Sequence, residues 1–268
     1  MGAAAAACVL LLALAPGARA DSTTRPDTTR PDDTMSVSGA LEDVKLYFTA
    51  PVRWDEADWL AFAGSLAAIG ISHSFDARVR SRFATGADAL NGGEDKNSLR
   101  DAAPTAAIVG GTALYAWYLD DRDGYRETWA LLEAGVLSTV TAEALGYAAG
   151  RERPDASASP NQWGKGGDSF PSVHVAAAFA VGTTFAESGN EEYRWLRRIL
   201  GYGIAAGTAY VRLHENVHWL SDTVAGSALG IATARFAVHR EAGESRVSLQ
   251  VEPAKGGGWM LSCSMRTH

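Results

Sequence analysis

The sequence predicts an all-α protein, a bundle of about six helices with a small C-terminal β-hairpin. Three observations carry that expectation. From Trp54 onward, six apolar stretches rich in Ala and Gly recur near 57–73, 102–119, 126–149, 173–187, 195–211 and 219–238, broken by charged loops. In the third, Leu132, Val136, Val140 and Tyr147 follow one another at spacings of four and seven, the stripe of a helix, read here as its packed side. The chain then closes on VSLQVEP, KGGG and WMLSCSM, strand-like alternation around a Gly-rich turn.

Taken in order, residues 1–20 read as a signal peptide. Residues 3–15 are almost wholly Ala, Leu, Val and Cys, and Ala18-Arg19-Ala20 is a small-x-small cleavage site. The chain is therefore expected to be exported, with the bacterial periplasm as its destination and an integral membrane placement as the alternative. Residues 21–44, with the TTRPD repeat, lack anything to bury and read as a flexible Pro/Thr/Asp-rich tether. Residues 45–240 form the helical domain and 241–268 the hairpin tail.

Composition narrows the function. The 268 residues are 47% hydrophobic, enough for one sizeable core. A net charge of -7 and a pI near 5.4 argue against nucleic acid as a partner, since phosphate neutralisation needs a basic face. Two cysteines exclude a disulfide framework and a four-cysteine zinc site. A membrane-spanning helix needs roughly 20 largely apolar residues. The longest charge-free run, 102–119, falls short of that and contains Pro104, so a water-soluble or peripheral bundle is expected, with membrane contact left open.

Three polar clusters interrupt the apolar pattern. Gly150-Arg151-Glu152-Arg153-Pro154 follows the third helix. Ser169-Phe170-Pro171-Ser172-Val173-His174 precedes the fourth, where free backbone N–H groups and the positive dipole end favour an anion. Arg212, His218 and Asp222 flank the start of the last helix. His218 and Asp222 are four apart, so the carboxylate is expected to accept a hydrogen bond from one ring nitrogen and leave the other as a nucleophile. Each cluster alone has an ordinary explanation: a proline helix stop, a helix-start histidine, an i,i+4 surface pair. Together they supply two histidines, guanidiniums, a hydroxyl and a helix N-terminus, an inventory suited to a tetrahedral oxyanion.

In their order, RERP, FPSVH and RLHENVHWLSD resemble the three motifs of the type 2 phosphatidic acid phosphatase and vanadium haloperoxidase superfamily, over roughly residues 45–240. The resemblance implies that His218 is the phosphorylated nucleophile, Asp222 its orienting partner and His174 the general acid and base. It implies that Arg153, Arg212, Ser172 and the Val173 N–H hold the phosphoryl oxygens, and that the phosphatase branch needs no metal or organic cofactor. The substrate would be a phosphate-bearing small molecule or lipid. Two departures stand out: Gly146 occupies the place of the motif lysine, and Val173 that of a glycine. Arg151 and Lys165 are the cations that could compensate. Alternatives are a degenerate phosphate or phospholipid binder and a vanadate-dependent haloperoxidase.

Overall fold

The computed structural model describes residues 37–83, 98–189, 191–241, 247–253 and 259–265. The expected signal peptide, 1–20, lies outside the described residues. Among the described residues, eight α-helices follow in order: α1 Val37–Phe48, α2 Glu56–His73, α3 Asp76–Phe83, α4 Ser98–Leu119, α5 Arg122–Ala149, α6 Val173–Glu187, α7 Arg194–His214 and α8 Leu220–Glu241. Strands β1 Val247–Pro253 and β2 Trp259–Met265 pair antiparallel, with Val247 opposite Met265.

The six apolar stretches became α2 and α4–α8. Residues 37–44, expected as part of the tether, lie within α1, and the rest of the expected tether, 21–36, lies outside the described residues. Helix α1 is tied to the bundle by Tyr47, whose hydroxyl is 2.9 Å from Thr233 Oγ1 and whose ring meets Phe236 edge-on at 5.3 Å. Local capping sets the starts. Asp55 and Asp58 form a capping box at α2. Asp121, in the loop expected between the second and third stretches, caps α5 by accepting the Asp123 N–H at 3.1 Å. At the far end of α5, Gly150 adopts φ 55° and turns the chain into the first polar cluster; a Cβ there would lie 3.1 Å from Gly164 Cα.

Helix α6 runs through the middle, against α5, α7 and α8. Its Val175, Ala178 and Phe179 pack on Ala205 and Ala209 of α7, while Ala180 meets Ala134 of α5 and Ala237 of α8. The α6 and α8 backbones nearly touch: a Cβ at Gly226 would stand 2.6 Å from Ser172 O, and one at Gly230 2.4 Å from Ala176 O. This contact sets the N-termini of α6 and α8 side by side, which is what places the second and third clusters together. Gly230→Ala is therefore expected to cost about 1–3 kcal/mol by forcing two backbones apart. Chemical denaturation of the variant beside the parent checks it.

The α5 stripe runs the other way from expectation. Leu132, Val136, Val140 and Tyr147 are exposed, Tyr147 at 93%, whereas Ala130, Leu131, Ala134, Leu137, Ala142 and Gly146 are buried. Close helix packing favours small residues on the inner face, with Leu131 and Leu137 the large apolar side chains it accepts, and the stripe of larger residues faces outward. Large apolar residues are also exposed on α2 (Trp59, Leu60, Leu66), α4 (Leu114, Trp117) and α7 (Trp195, Ile199). Among the described residues no helix is long and apolar enough to cross a membrane.

Candidate active site

The three clusters converge at one end of the bundle, where α5 ends and α6 and α8 begin. The Ser172 N–H donates to Asp222 O at 3.1 Å, and the Ser169 N–H to Arg151 O at 3.0 Å. The Trp219 indole N–H donates to Glu152 O at 2.8 Å. Each cluster is thus bonded to the other two.

His218 is almost fully buried. Its Nδ1–H donates to the Ser169 carbonyl at 2.8 Å, and Asp222 Oδ2 stands 3.8 Å away. The expected Asp222–imidazole hydrogen bond is replaced by a bond to the backbone. The reason lies in what Asp222 already accepts: the Trp219 N–H at 2.8 Å, the Ser169 hydroxyl and the Arg151 guanidinium. With Nδ1 carrying the proton, Nε2 is the nitrogen with the lone pair.

Ser172 is the N-cap of α6, yet its hydroxyl makes no capping bond. It is fully buried, and among the described residues Ser172 Oγ has no hydrogen-bond partner. A buried hydroxyl without a partner calls for an acceptor or donor that completes it. Val173 opens α6, where its amide has no i−4 carbonyl to bond. His174 follows in the same turn. It borders an apolar cleft of about 230 Å³ between α4, α5 and α6, lined by Ala106, Val109, Leu132 and Val136 among others.

Both arginines assigned to the phosphoryl oxygens are held by carboxylates. Arg153 makes a two-pronged pair with Asp168, Nε and Nη2 each at 2.7 Å. Burial pushes the Asp168 carboxyl up, but the Arg153 hydrogen bond and charge, with a backbone bond and the charge of His218, outweigh it and hold the carboxyl below its ordinary value. Arg212 is fully buried and donates to Asp101 Oδ2 at 2.7 Å. Asp101 itself comes from the first turn of α4.

The two compensating cations differ. Arg151 does not face outward: it is fully buried, bonded to Asp76 and Asp222, and lies over the Trp163 ring at 4.4 Å. Its donors are committed to buried acceptors of the protein, so it offers no charge to a phosphate, and that expectation is corrected. Lys165 is exposed in the loop whose backbone packs on Gly150, its N–H donating to Gly150 O at 2.8 Å. Gly146 is buried, and a Cβ there would sit 3.5 Å from Phe170 O, in ordinary contact. The position of the missing lysine thus faces the second cluster.

Sequence reasoning missed three carboxylates, Asp76, Asp101 and Asp168. Asp76 and His73 are three apart at the α2–α3 junction, with His73 Nδ1 2.9 Å from Asp76 Oδ2. A polar pair between two helices was the signal for it.

Comparison with known proteins finds three similarities. The family model described as the PAP2 superfamily matches residues 127–244. The lipid A 1-phosphatase of Porphyromonas gingivalis is 38% identical over 85 residues, 32% of this chain, and the chain spans 17% of that relative's length. A solved structure, a transmembrane PAP2-type phosphatidylglycerolphosphate phosphatase from Bacillus subtilis, aligns with a TM-score of 0.45 at 18% identity. That alignment covers 69% of this chain and 96% of that one. The family match takes in all three polar clusters, from α5 to the end of α8. Over residues 127–244 the chain is thus similar to the PAP2 superfamily.

Proposed function

We propose that this chain is an exported phosphohydrolase that cleaves phosphomonoesters or lipid (pyro)phosphates through a phosphohistidine intermediate. The observation that carries the reading is the His218 ring, whose Nδ1–H is committed to the Ser169 carbonyl so that Nε2 is the basic nitrogen. Nε2 attacks phosphorus and the bond to the leaving oxygen breaks, with His174 giving that oxygen its proton. Water then attacks phosphorus while His174 takes a proton from it, the phosphorus–nitrogen bond breaks with its electron pair returning to Nε2, and phosphate leaves with His218 restored. Ser172 Oγ, the Val173 amide, Arg153 and Arg212 hold the non-bridging oxygens. Asp168 and Asp101 keep the two guanidiniums placed before substrate arrives.

The apolar cleft beside His174 supports a leaving group with a hydrocarbon part, and the exposed apolar side chains of α2, α4, α5 and α7 support contact with a lipid surface. Gly146 removes one cation from the pattern. Such a loss costs about 2–4 kcal/mol at a transition state, roughly two to three decades of rate, and Lys165 is the cation proposed to offset it.

The test is inorganic phosphate release by the chain on a chromogenic phosphomonoester, a short-chain phosphatidic acid in vesicles and a polyprenyl pyrophosphate, without added metal. Release from at least one is expected, with the lipid substrates favoured. Gly146 and Val173 favour a second reading, a phosphate binder without turnover. Calorimetric phosphate binding with no release from any of the three would establish it and reject hydrolysis.

A further inference from the structure

We propose that Asp76, acting through Arg151, is a positioning residue for His218 and Asp222, so that the start of α3 belongs to the site although it lies outside the family match. Its kinetic consequence rests on the phosphohydrolase reading; its structural consequence does not.

Asp76 is fully buried. Its Oδ1 accepts the Ser221 N–H at 2.8 Å. Its Oδ2 accepts the Ser221 hydroxyl at 2.7 Å and Arg151 Nη2 at 2.7 Å. The contact is held in place by Val79 and Phe83 of α3, which pack with Ala68 and Ile69 of α2 on Leu213, Leu220 and Val224. Arg151 commits its donors inside the protein. Nε and Nη2 reach Pro160 O at 3.1 and 2.8 Å, and Nη1 reaches Ser221 Oγ at 2.7 Å and Asp222 Oδ1. Such a guanidinium does not meet a substrate. Its influence passes through Asp222 and through Ser169, whose N–H bonds Arg151 O, whose hydroxyl bonds Asp222, and whose carbonyl holds His218.

Charge explains why the arrangement is more than packing. Two buried carboxylates share one buried guanidinium, an arrangement that is costly for a cluster built only for stability. His73, one-third exposed, touches it from α2: Nδ1 is 2.9 Å from Asp76 Oδ2 and 3.1 Å from Arg151 Nη2. Because Arg151 is shared with Asp76, Asp222 keeps part of its charge facing His218 Nδ1, 3.8 Å away. That ring becomes cationic when Nε2 is phosphorylated. Neutralising Asp76 lets Arg151 turn wholly to Asp222 and removes this stabilisation, without touching the groups that hold phosphate.

The experiment compares Asp76→Asn and Ser221→Ala with the parent chain in two measurements. The first is steady-state hydrolysis of para-nitrophenyl phosphate. The second is ¹⁵N NMR of the histidine rings. For Asp76→Asn the expected result is a kcat lower by about 10- to 100-fold with KM within about twofold. The His218 ring should move from a single Nδ1–H tautomer to a mixture. Ser221→Ala, which keeps every charge, should shift both in the same direction by less. Unchanged kcat and unchanged His218 signals in the folded variants would overturn the proposal, as would a loss of kcat that merely follows thermal stability. If the parent releases no phosphate, the hydrolase reading fails and the ring tautomer alone decides the positioning role.

Discussion

Arg151→Ala is expected to destabilise the protein by about 3–5 kcal/mol or more, a large part of the 5–15 kcal/mol typical of a domain. The substitution leaves Asp76 and Asp222 buried with no guanidinium between them. It also removes the cation that lies over Trp163 at 4.4 Å and Trp219 at 5.4 Å. Surface arginines such as Arg126, whose carboxylate partner Asp123 is 89% exposed, should show almost nothing by comparison. Urea unfolding of Arg151→Ala beside Arg126→Ala measures the contrast. A loss below about 1 kcal/mol at Arg151 would mean that the buried cluster does not hold the three clusters together.

His218→Ala is expected to do the opposite: a large loss of activity with little loss of stability. Phosphate release should fall by at least about 10³-fold, since no other group takes over as nucleophile. The fold forfeits one hydrogen bond, to the Ser169 carbonyl, worth about 0.5–1.5 kcal/mol. His174→Ala should also slow release, most strongly for poor leaving groups that need their oxygen protonated. Matching both losses against circular dichroism separates chemistry from folding.

The bundle was legible because apolar stretches of helix length separated by charged loops admit few other folds. What periodicity did not reveal was which side of α5 faces in. Leu132, Val136 and Val140 form the clearer stripe, but the packed face is made mostly of small residues such as Ala134, Ala142 and Gly146, with Leu131 and Leu137 between them. Helix α1 was hidden for a different reason. Its contacts, Tyr47 to Thr233 and Phe236, are tertiary, and VSGALEDVKLYF directly follows a polar, Pro-bearing stretch of sequence.

The three polar clusters were legible from spacing, and the structure bonds them together as their order suggested. The carboxylates that position them were not. Asp76 reaches Ser221 across 145 positions and Asp101 reaches Arg212 across 111, pairings that no local pattern announces. Nor does local pattern say which way Arg151 and Arg153 turn. They stand two residues apart in a loop after the helix, and one turns inward to Asp76 and Asp222 while the other turns outward to Asp168.

The central claim is that Nε2 of His218 takes the phosphoryl group, and rapid acid-free quenching with ³²P-labelled substrate tests it most directly. The expected result is a labelled protein that is stable to base and labile to acid, absent in His218→Ala, with the label on the peptide containing His218. Turnover without any phosphoenzyme, or turnover that survives in His218→Ala, would contradict it.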